Sequence, residues 1–206
     1  MSTRRAIVGL AALVVLVVAA VPGALGRRPA RLFTLDESCT LPHPPQAQLS
    51  LTGAAATVDF SPDGGGEQLI LGAIRAARSR IRVQAYSFTD RRIQRALEAA
   101  KARGVDVEVI LDKTDAEPFQ HHRPVAAVLA AAGIPVWIDA SVRIAHNKVM
   151  IIDGADLITG SYNFSYAAAF DNAENLLYIR HAPALAEVYL SNWNWRQSCA
   201  RPYRKT

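Results

Sequence analysis

Apolar residues recur along this chain in two periods, and the two periods alternate. A spacing of three to four residues is typical of amphipathic helices, and a spacing of two is typical of half-buried strands. The first pattern predicts helices over 67–79, between Asp90 and Gly104, over 124–132 and over 183–197. The second, with short continuous apolar runs, predicts strands over 57–61, 81–86, 105–111, 136–138, 149–152, 157–159 and 175–179. Strands that alternate with helices imply an α/β sandwich around a mixed sheet.

The first 26 residues follow a different pattern. Arg4 and Arg5 precede an uncharged, mostly apolar run over 6–26. Small residues at Ala24 and Gly26 suit cleavage of a signal peptide, and this interpretation is slightly favoured. The run is also about as long as a membrane span, and the arginines directly after it suit a retained anchor. In both cases the domain would lie outside the cytoplasm, periplasmic, extracellular or anchored to the membrane facing outwards.

Composition agrees with one folded domain behind this segment. The chain has 206 residues, of which 50% are hydrophobic and 20% charged, which is enough for one full core. We therefore expect a signal peptide or anchor over 1–26, a proline-containing arm over 27–56, and a single domain over 57–206. The net charge of +5 is mildly basic and does not by itself indicate a nucleic-acid partner.

Two cysteines, Cys39 and Cys199, stand near the two ends of the part that would be exported. An even number of cysteines in an oxidising compartment favours a disulfide. The sequence therefore predicts a bond between the arm and the last helix, with two unpaired thiols as the alternative.

One run of polar residues stands out against this framework. It reads His-x-Lys-x4-Asp-x6-Gly-Ser-x-Asn, and it occurs once. Its members are His146, Lys148, Asp153, Gly160, Ser161 and Asn163. A neutral imidazole can attack phosphorus, and an ammonium and a carboxamide can hold the non-bridging oxygens of a phosphodiester. Because His146 and Lys148 are two apart beside a buried strand, we expect them on the same face.

This run resembles the signature of the phospholipase D superfamily, whose members cleave phosphodiester bonds through a covalent phosphohistidine. The resemblance extends to Phe60-Ser61-Pro62, to the run 84–89 and to Asn172-Ala173-Glu174-Asn175, which are similar to segments of the superfamily's small bacterial endonucleases. It covers roughly residues 58–203. It implies the phospholipase D-like α/β/α sandwich with a mixed β-sheet.

The resemblance also implies the mechanism. One signature supplies one histidine, whereas the two-step reaction needs a nucleophile and a general acid. We therefore expect a homodimer with the site on its twofold axis, where the two copies of His146 exchange these roles. Lys148 and Asn163 would hold the phosphoryl oxygens, with Ser161 in support. Glu174 would accept a hydrogen bond from an imidazole.

Other positions carry weaker predictions. Asp153 belongs to the signature, yet its place at a turn after a buried strand favours a structural hydrogen-bonding role over proton transfer. Arg143 and Lys113 are candidates for contacts with a backbone phosphate. No metal motif is visible among the histidines, and the resemblance implies a reaction without a metal or another cofactor.

Three functions remain open at this point. The leading one is a metal-independent endonuclease that acts on DNA, or alternatively RNA, outside the cytoplasm. A phospholipase that hydrolyses phospholipid headgroups keeps the chemistry and changes the substrate, and residues 6–26 would anchor it to a membrane. A catalytically idle nucleic-acid-binding domain is the third, and the intact histidine, lysine and asparagine argue against it.

Overall fold

The computed structural model describes residues 39–117 and 123–204. The predicted signal or anchor segment over 1–26, the first part of the arm, and the adjacent histidines at 121 and 122 lie outside these residues. No helix within the two described ranges is long and apolar enough to cross a membrane.

All the predicted helices and strands are present, with ends that differ by at most a few residues. The helices are α1 Gly66–Ala76, α2 Arg91–Ala102, α3 Val125–Ala131, α4 Tyr166–Phe170 and α5 Pro183–Cys199. The strands are β1 Ala55–Ser61, β2 Arg80–Ala85, β3 Asp106–Asp112, β4 Val136–Asp139, β5 Lys148–Ile152, β6 Asp156–Gly160, β7 Glu174–Arg180 and β8 Arg201–Pro202. Three short elements were not predicted: α4, β8 and a 3-10 helix over Lys113–Ala116.

The strands form one mixed sheet in the order β1-β7-β6-β5-β2-β3-β4-β8. β2, β3 and β4 run parallel, and the remaining neighbours are antiparallel. Helices α1 to α4 pack on one face through residues such as Ile74, Leu97 and Leu129. Helix α5 covers the other face with Ala186 and Trp193. This arrangement confirms the predicted α/β/α sandwich.

Local signals explain where two of the helices begin. The carboxylate of Asp90 accepts hydrogen bonds from the backbone amides of Arg92 and Ile93, so the predicted cap of α2 is confirmed. Ser165 caps α4 in the same way by accepting from the amide of Ala168. Because α4 has only 5 residues, it is too short to show a helical period in the sequence.

The register of the central strands brings distant segments to one edge of the sheet, which we call the signature edge. Lys148 pairs with Ala85 at the end of β2, and Glu174 pairs with Ser61 at the end of β1. The antiparallel β5–β6 hairpin returns the chain to this edge at Gly160. The signature edge therefore collects the ends of β1, β2 and β6 and the beginnings of β5 and β7.

The predicted disulfide is present and joins Cys39 to Cys199 across a sequence separation of 160 residues. It fastens the arm to the last residue of α5, as expected from the sequence. The nearby amide of Leu41 donates to the hydroxyl of Ser198, and the ring of His43 packs edge-on against Trp195. The bond fits a compartment outside the cytoplasm, where disulfides persist.

Candidate active site

His146 and Lys148 meet at the signature edge. His146 lies in the irregular segment before β5 and is exposed, whereas Lys148 is the first residue of β5 and is buried. The Nζ atom of Lys148 lies 3.0 Å from the Nδ1 atom of His146, and it donates to the carbonyl oxygen of His146 at 3.0 Å. The structure thus places an accessible imidazole directly beside a shielded ammonium.

Tyr86 packs beside both His146 and Lys148, and it was not singled out from the sequence. Its ring lies 4.4 Å from the imidazole of His146, measured between centroids. The Nζ atom of Lys148 lies 5.0 Å from the centroid of the same ring. A cation is attracted to the face of an aromatic ring at this distance. The signals in the sequence were its position at the end of a strand and within the run 84–89 that resembles the superfamily's nucleases. The pairing of β2 with β5 is what brings it to His146.

The electrostatics of Lys148 reflect its burial. Burial lowers the pKa of the Lys148 ammonium below its ordinary value, because the charged form loses hydration. The negative charge of Glu174 acts in the opposite direction and offsets part of that shift. The two groups are therefore coupled, although they come from strands β5 and β7.

Glu174 and Ser161 form a hydrogen-bonded unit on the neighbouring strands. The hydroxyl of Ser161 donates to Oε2 of Glu174 at 2.6 Å, and the side chain of Asn172 donates to Oε1 at 3.0 Å. Ser161 in turn accepts from the backbone and side-chain nitrogens of Asn175. The predicted contact between Glu174 and an imidazole is not part of this set within one chain and stays a prediction.

Gly160 makes this unit possible. It has a φ of 152°, and a Cβ atom on it would overlap the carbonyl oxygen of Asn175. Any larger residue would push β6 away from β7 and carry Ser161 with it. The glycine of the signature is therefore required by the close approach of two backbones.

Asn163 is held from both sides. Before it, the amide of Tyr162 donates to the carbonyl oxygen of Asn175. Its own carbonyl oxygen accepts from the amide of Ser165, and the next residue, Phe164, forms a bridge to Phe88. The side-chain Oδ1 of Asn163 is buried and has no hydrogen-bond partner among the described residues. The backbone on either side is thus fixed, which limits the directions in which the carboxamide can point.

Asp153 lies away from these residues. It follows the last residue of β5, about 17 Å along the strand from Lys148. Its carboxylate accepts from the backbone amides of Arg78, Ser79 and Arg80 and from the hydroxyl of Ser79, at 2.8–3.0 Å. Burial would raise the pKa of Asp153, but these hydrogen bonds outweigh it and hold the pKa below its ordinary value. The structure shows a contact between two turns at this position.

Lys113 and Asp112 fasten the segment that carries His146. The ammonium of Lys113 donates to the carbonyl oxygens of Val142 and Arg143. The buried carboxylate of Asp112 accepts from the amide of Ala145 at 2.7 Å, a role that the sequence did not reveal. Arg143 itself is exposed three residues before His146. Phosphate contacts by Lys113 and Arg143 stay predictions.

Comparison with known proteins identifies the family of this chain. A family model described as "Cardiolipin synthase, PLD-like domain" matches residues 70–194. The chain is 40% identical over 148 residues to a protein of Rickettsia bellii named phospholipase D, and the match covers 72% of each. The chain belongs to the phospholipase D superfamily. Mitochondrial cardiolipin hydrolase of Mus musculus is 32% identical over 157 residues, which cover 74% of this chain and 69% of that one.

A solved structure supports the same assignment. Nuc from Salmonella typhimurium, a phospholipase D family member, is 40% identical and superposes with a TM-score of 0.67. The match covers 74% of this chain and 99% of Nuc. As a phospholipase D superfamily member, the chain is a phosphodiesterase. Apart from Asp153, the residues of the single signature found in its sequence lie at or beside the signature edge.

Within residues 39–117 and 123–204, no three histidine, cysteine, aspartate or glutamate side chains are arranged to hold a metal ion. The chemistry that the described groups offer is nucleophilic and electrostatic. An imidazole, an ammonium and a carboxamide lie at or beside the signature edge, and a carboxylate, Glu174, is coupled to the ammonium. An imidazole can act as the nucleophile of phosphoryl transfer, and an ammonium and a carboxamide can stabilise the charge that develops on the phosphoryl oxygens.

Proposed function

We propose that this phosphodiesterase is an exported, metal-independent endonuclease that cleaves DNA, or alternatively RNA, through a phosphohistidine intermediate. The observation that carries the proposal is the exposed imidazole of His146 held against the buried ammonium of Lys148 at an open edge. The likeness to Nuc, at 40% identity over almost the whole of Nuc, supports the same fold and chemistry. The resemblance of residues 84–89 and 172–175 to segments of the superfamily's small bacterial endonucleases supports a nucleic acid as the substrate.

The proposed reaction has two steps. One His146 attacks phosphorus, a phosphorus–nitrogen bond forms, and the ester oxygen leaves with a proton from a second His146. That second imidazole then removes a proton from water, which attacks the phosphohistidine and releases the phosphate end and the first imidazole. Lys148 and Asn163 hold the non-bridging oxygens while negative charge develops on them.

The contact between Lys148 and His146 bears on how the reaction starts. An ammonium has only donors, so Nδ1 must accept when Lys148 is charged, and the proton of a neutral imidazole then resides on Nε2. Such a ring is neither the nucleophile at Nε2 nor an imidazolium acid. A bound phosphate that draws the ammonium away would free Nδ1 to carry a proton and donate a hydrogen bond, and we propose Glu174 as its acceptor.

The second histidine would come from a second subunit. The signature occurs once in the sequence, and no other residue of the signature is a comparable acid near neutral pH. A twofold homodimer would supply the second His146 with no further residue. The exposure of His146 is compatible with such an arrangement.

Hydrolysis of phospholipid headgroups is the second candidate. The names of two relatives favour it: phospholipase D in Rickettsia bellii and mitochondrial cardiolipin hydrolase in Mus musculus. The imidazole of His146 would attack either kind of diester, and Lys148 and Asn163 would hold the oxygens of either. The substrate therefore has to be decided by experiment.

The decisive test offers both substrates to the same protein. The full chain is incubated in EDTA with supercoiled plasmid, with RNA, and with phospholipid vesicles, beside His146→Ala prepared identically to exclude a contaminating nuclease. We expect nicked plasmid and intact lipid. Headgroup release without nicking would establish the phospholipase, and DNA binding without turnover of any substrate would establish an idle binding domain.

Export is part of the proposal. The disulfide between Cys39 and Cys199 supports a location outside the cytoplasm, and the apolar run over 6–26 would direct the chain there. Fractionation of cells that produce the full chain tests this, because a cleaved signal peptide and a retained anchor give soluble and membrane-bound protein, respectively.

A further inference from the structure

Two aromatic side chains are exposed side by side on α4. Tyr166 is 61% exposed and Phe170 41% exposed, and their ring centroids are 4.7 Å apart with planes inclined by 40°. Arg92 belongs to the neighbouring helix α2, and its guanidinium lies 5.6 Å from the centroid of the Phe170 ring. Arg92, Phe170 and Tyr166 therefore form a short stack, and the ring of Tyr166 at its outer end is open to solvent.

This stack borders a cavity of about 760 Å³, a size typical of sites for small organic groups. Tyr166 forms part of its wall, Phe88 and Thr89 form another part, and Arg91 and Arg95 reach it from one face of α2. Arg91 and Arg95 are four residues apart, so they project in the same direction.

The positively and negatively charged groups around the cavity are equal in number and favour an anion in mildly acidic solution. Three arginines and three acids line it: Arg91, Arg95, Arg123, Glu98, Asp115 and Glu117. Burial raises the pKa of Asp115 to about 7, so this acid is uncharged below neutral pH. The Oδ2 atom of Asp115 is also buried without a hydrogen-bond partner among the described residues. Cations therefore outnumber anions in mildly acidic solution.

The stack is rigidly connected to the candidate active site. Tyr166 follows Asn163 by three residues, a span of at most about 11 Å. Thr89 follows Tyr86 by three residues as well. The rings of Phe88 and Phe164 pack at 5.6 Å, and the amide of Asp90 donates to the carbonyl oxygen of Phe164, so the two segments move together.

We propose that the stack of Arg92, Phe170 and Tyr166 binds unpaired nucleobases next to the scissile phosphodiester. A base would stack on the open ring of Tyr166, and Arg91 and Arg95 would contact the phosphates that flank it. This inference rests on the proposed nuclease function and adds a binding site to it. Aromatic faces bind bases of any sequence, and arginines bind the backbone, which is the combination that single strands require.

A paired strand offers no free base face to Tyr166. The proposal therefore distinguishes a single strand from its duplex, although the duplex carries more phosphate charge. A phospholipid surface would gain from buried apolar area, but the two rings here are bordered by arginines that favour a polyanion with flat groups.

The experiment compares three variants, Tyr166→Ser, Tyr166→Trp and Leu51→Ser, with the unchanged protein in its own oligomeric state. Leu51 is 43% exposed, matches Phe170 in exposure, and lies in the arm before β1. The substrates are a labelled 12-nucleotide single strand, its duplex, and bis(p-nitrophenyl) phosphate, which reaches only the catalytic groups. Binding of the single strand is measured in parallel by fluorescence anisotropy.

We expect Tyr166→Ser to raise KM for the single strand roughly 10- to 100-fold, the loss of one stacked base, with kcat for the small diester unchanged. Tyr166→Trp should preserve KM, and Leu51→Ser and the duplex should show no change. An unaltered KM in Tyr166→Ser, or an equal loss on single strand and duplex, would overturn the proposal. So would a change of oligomeric state in sedimentation, which would assign the rings to contact between two copies.

Failure of the proposed nuclease function would give a different set of results in the same experiment. In that case the unchanged protein hydrolyses bis(p-nitrophenyl) phosphate but neither form of DNA, and anisotropy still reports whether Tyr166 binds the single strand. Binding that is the same in Tyr166→Ser and the unchanged protein would reject the site in that case as well.

Discussion

The imidazole of His146 and the ammonium of Lys148 lie 3.0 Å apart and have separate proposed tasks, attack on phosphorus and stabilisation of charge. His146→Ala should lower turnover by orders of magnitude, because no other group of the signature can form the covalent intermediate. DNA binding, measured by anisotropy, should persist. Lys148→Ala should cost on the order of 3 kcal/mol in transition-state stabilisation, by analogy with one oxyanion donor.

His43→Ala is the matched control for this pair, since His43 is another exposed histidine and packs in the arm against Trp195. It should leave turnover unchanged. A His146→Ala protein that kept even a tenth of the rate would refute the assignment of the nucleophile.

The coupling between Lys148 and Glu174 predicts a shift in the pH profile. As pH rises, the Lys148 ammonium loses its proton, and kcat/KM should fall. Burial lowers the pKa of Lys148, and the charge of Glu174 raises it. Glu174→Gln removes the raising effect, so the alkaline limb of kcat/KM should move to lower pH. Glu187→Gln, an exposed carboxylate on α5, should leave the limb in place. An alkaline limb that does not move in Glu174→Gln would show that Lys148 does not control it.

At the scale of elements, Asp153 ties the turn between β5 and β6 to the turn before β2. Its carboxylate accepts three backbone hydrogen bonds, and its φ is 52°. Asp153→Asn tolerates that φ but loses the charge, so the free energy of unfolding should fall by about 1–3 kcal/mol at neutral pH. Activity of the protein that remains folded should persist, because the residue lies at the far end of β5 from Lys148.

The pH dependence of this loss has a definite sign. The folded-state pKa of Asp153 is depressed, so its stabilisation is present above the unfolded value near 4 and disappears as pH falls through the folded value. Urea unfolding should therefore show a gap between Asp153→Asn and the unchanged protein at pH 7, and the gap should close in strong acid. A gap of the same size throughout would mean that packing, and not charge, is responsible.

At the scale of the whole molecule, the proposed shared site predicts that inactive chains inactivate the unchanged chains with which they form dimers. When unchanged protein is mixed with excess His146→Ala and subunits exchange, heterodimers hold one imidazole each and should not turn over. Activity should then fall well below the fraction of unchanged chains. Activity proportional to that fraction, with exchange demonstrated by mass spectrometry, would place the second acid within one chain.

The disulfide is a second property of the whole molecule. Cys39 and Cys199 close a loop of most of the domain, so the double change Cys39→Ser with Cys199→Ser should cost on the order of 2–5 kcal/mol in unfolding free energy. The double variant remains testable for nicking, because the bond joins α5 to the arm and does not lie at the signature edge. Peptide mapping without reduction should show the linked pair, and unchanged stability of the double variant would show that the bond contributes nothing.

The sequence by itself determined the order and type of the long elements and the residues of the signature. These follow from local causes: apolar periods of two and of three to four, the cap at Asp90, and the fixed spacing from His146 to Asn163. The short α4 and β8 were beyond this reasoning, because 5 and 2 residues do not complete a recognisable period.

Only the tertiary structure decided which side chains meet. The pairing of β2 with β5 brings Tyr86 to His146, and the β5 register sends Asp153 to the opposite edge although it belongs to the same signature. Contacts between residues far apart in the chain depend on strand order and register, which no local pattern encodes. For the same reason the exposed rings of Tyr166 and Phe170 became visible as a surface only when α2 and α4 were placed side by side.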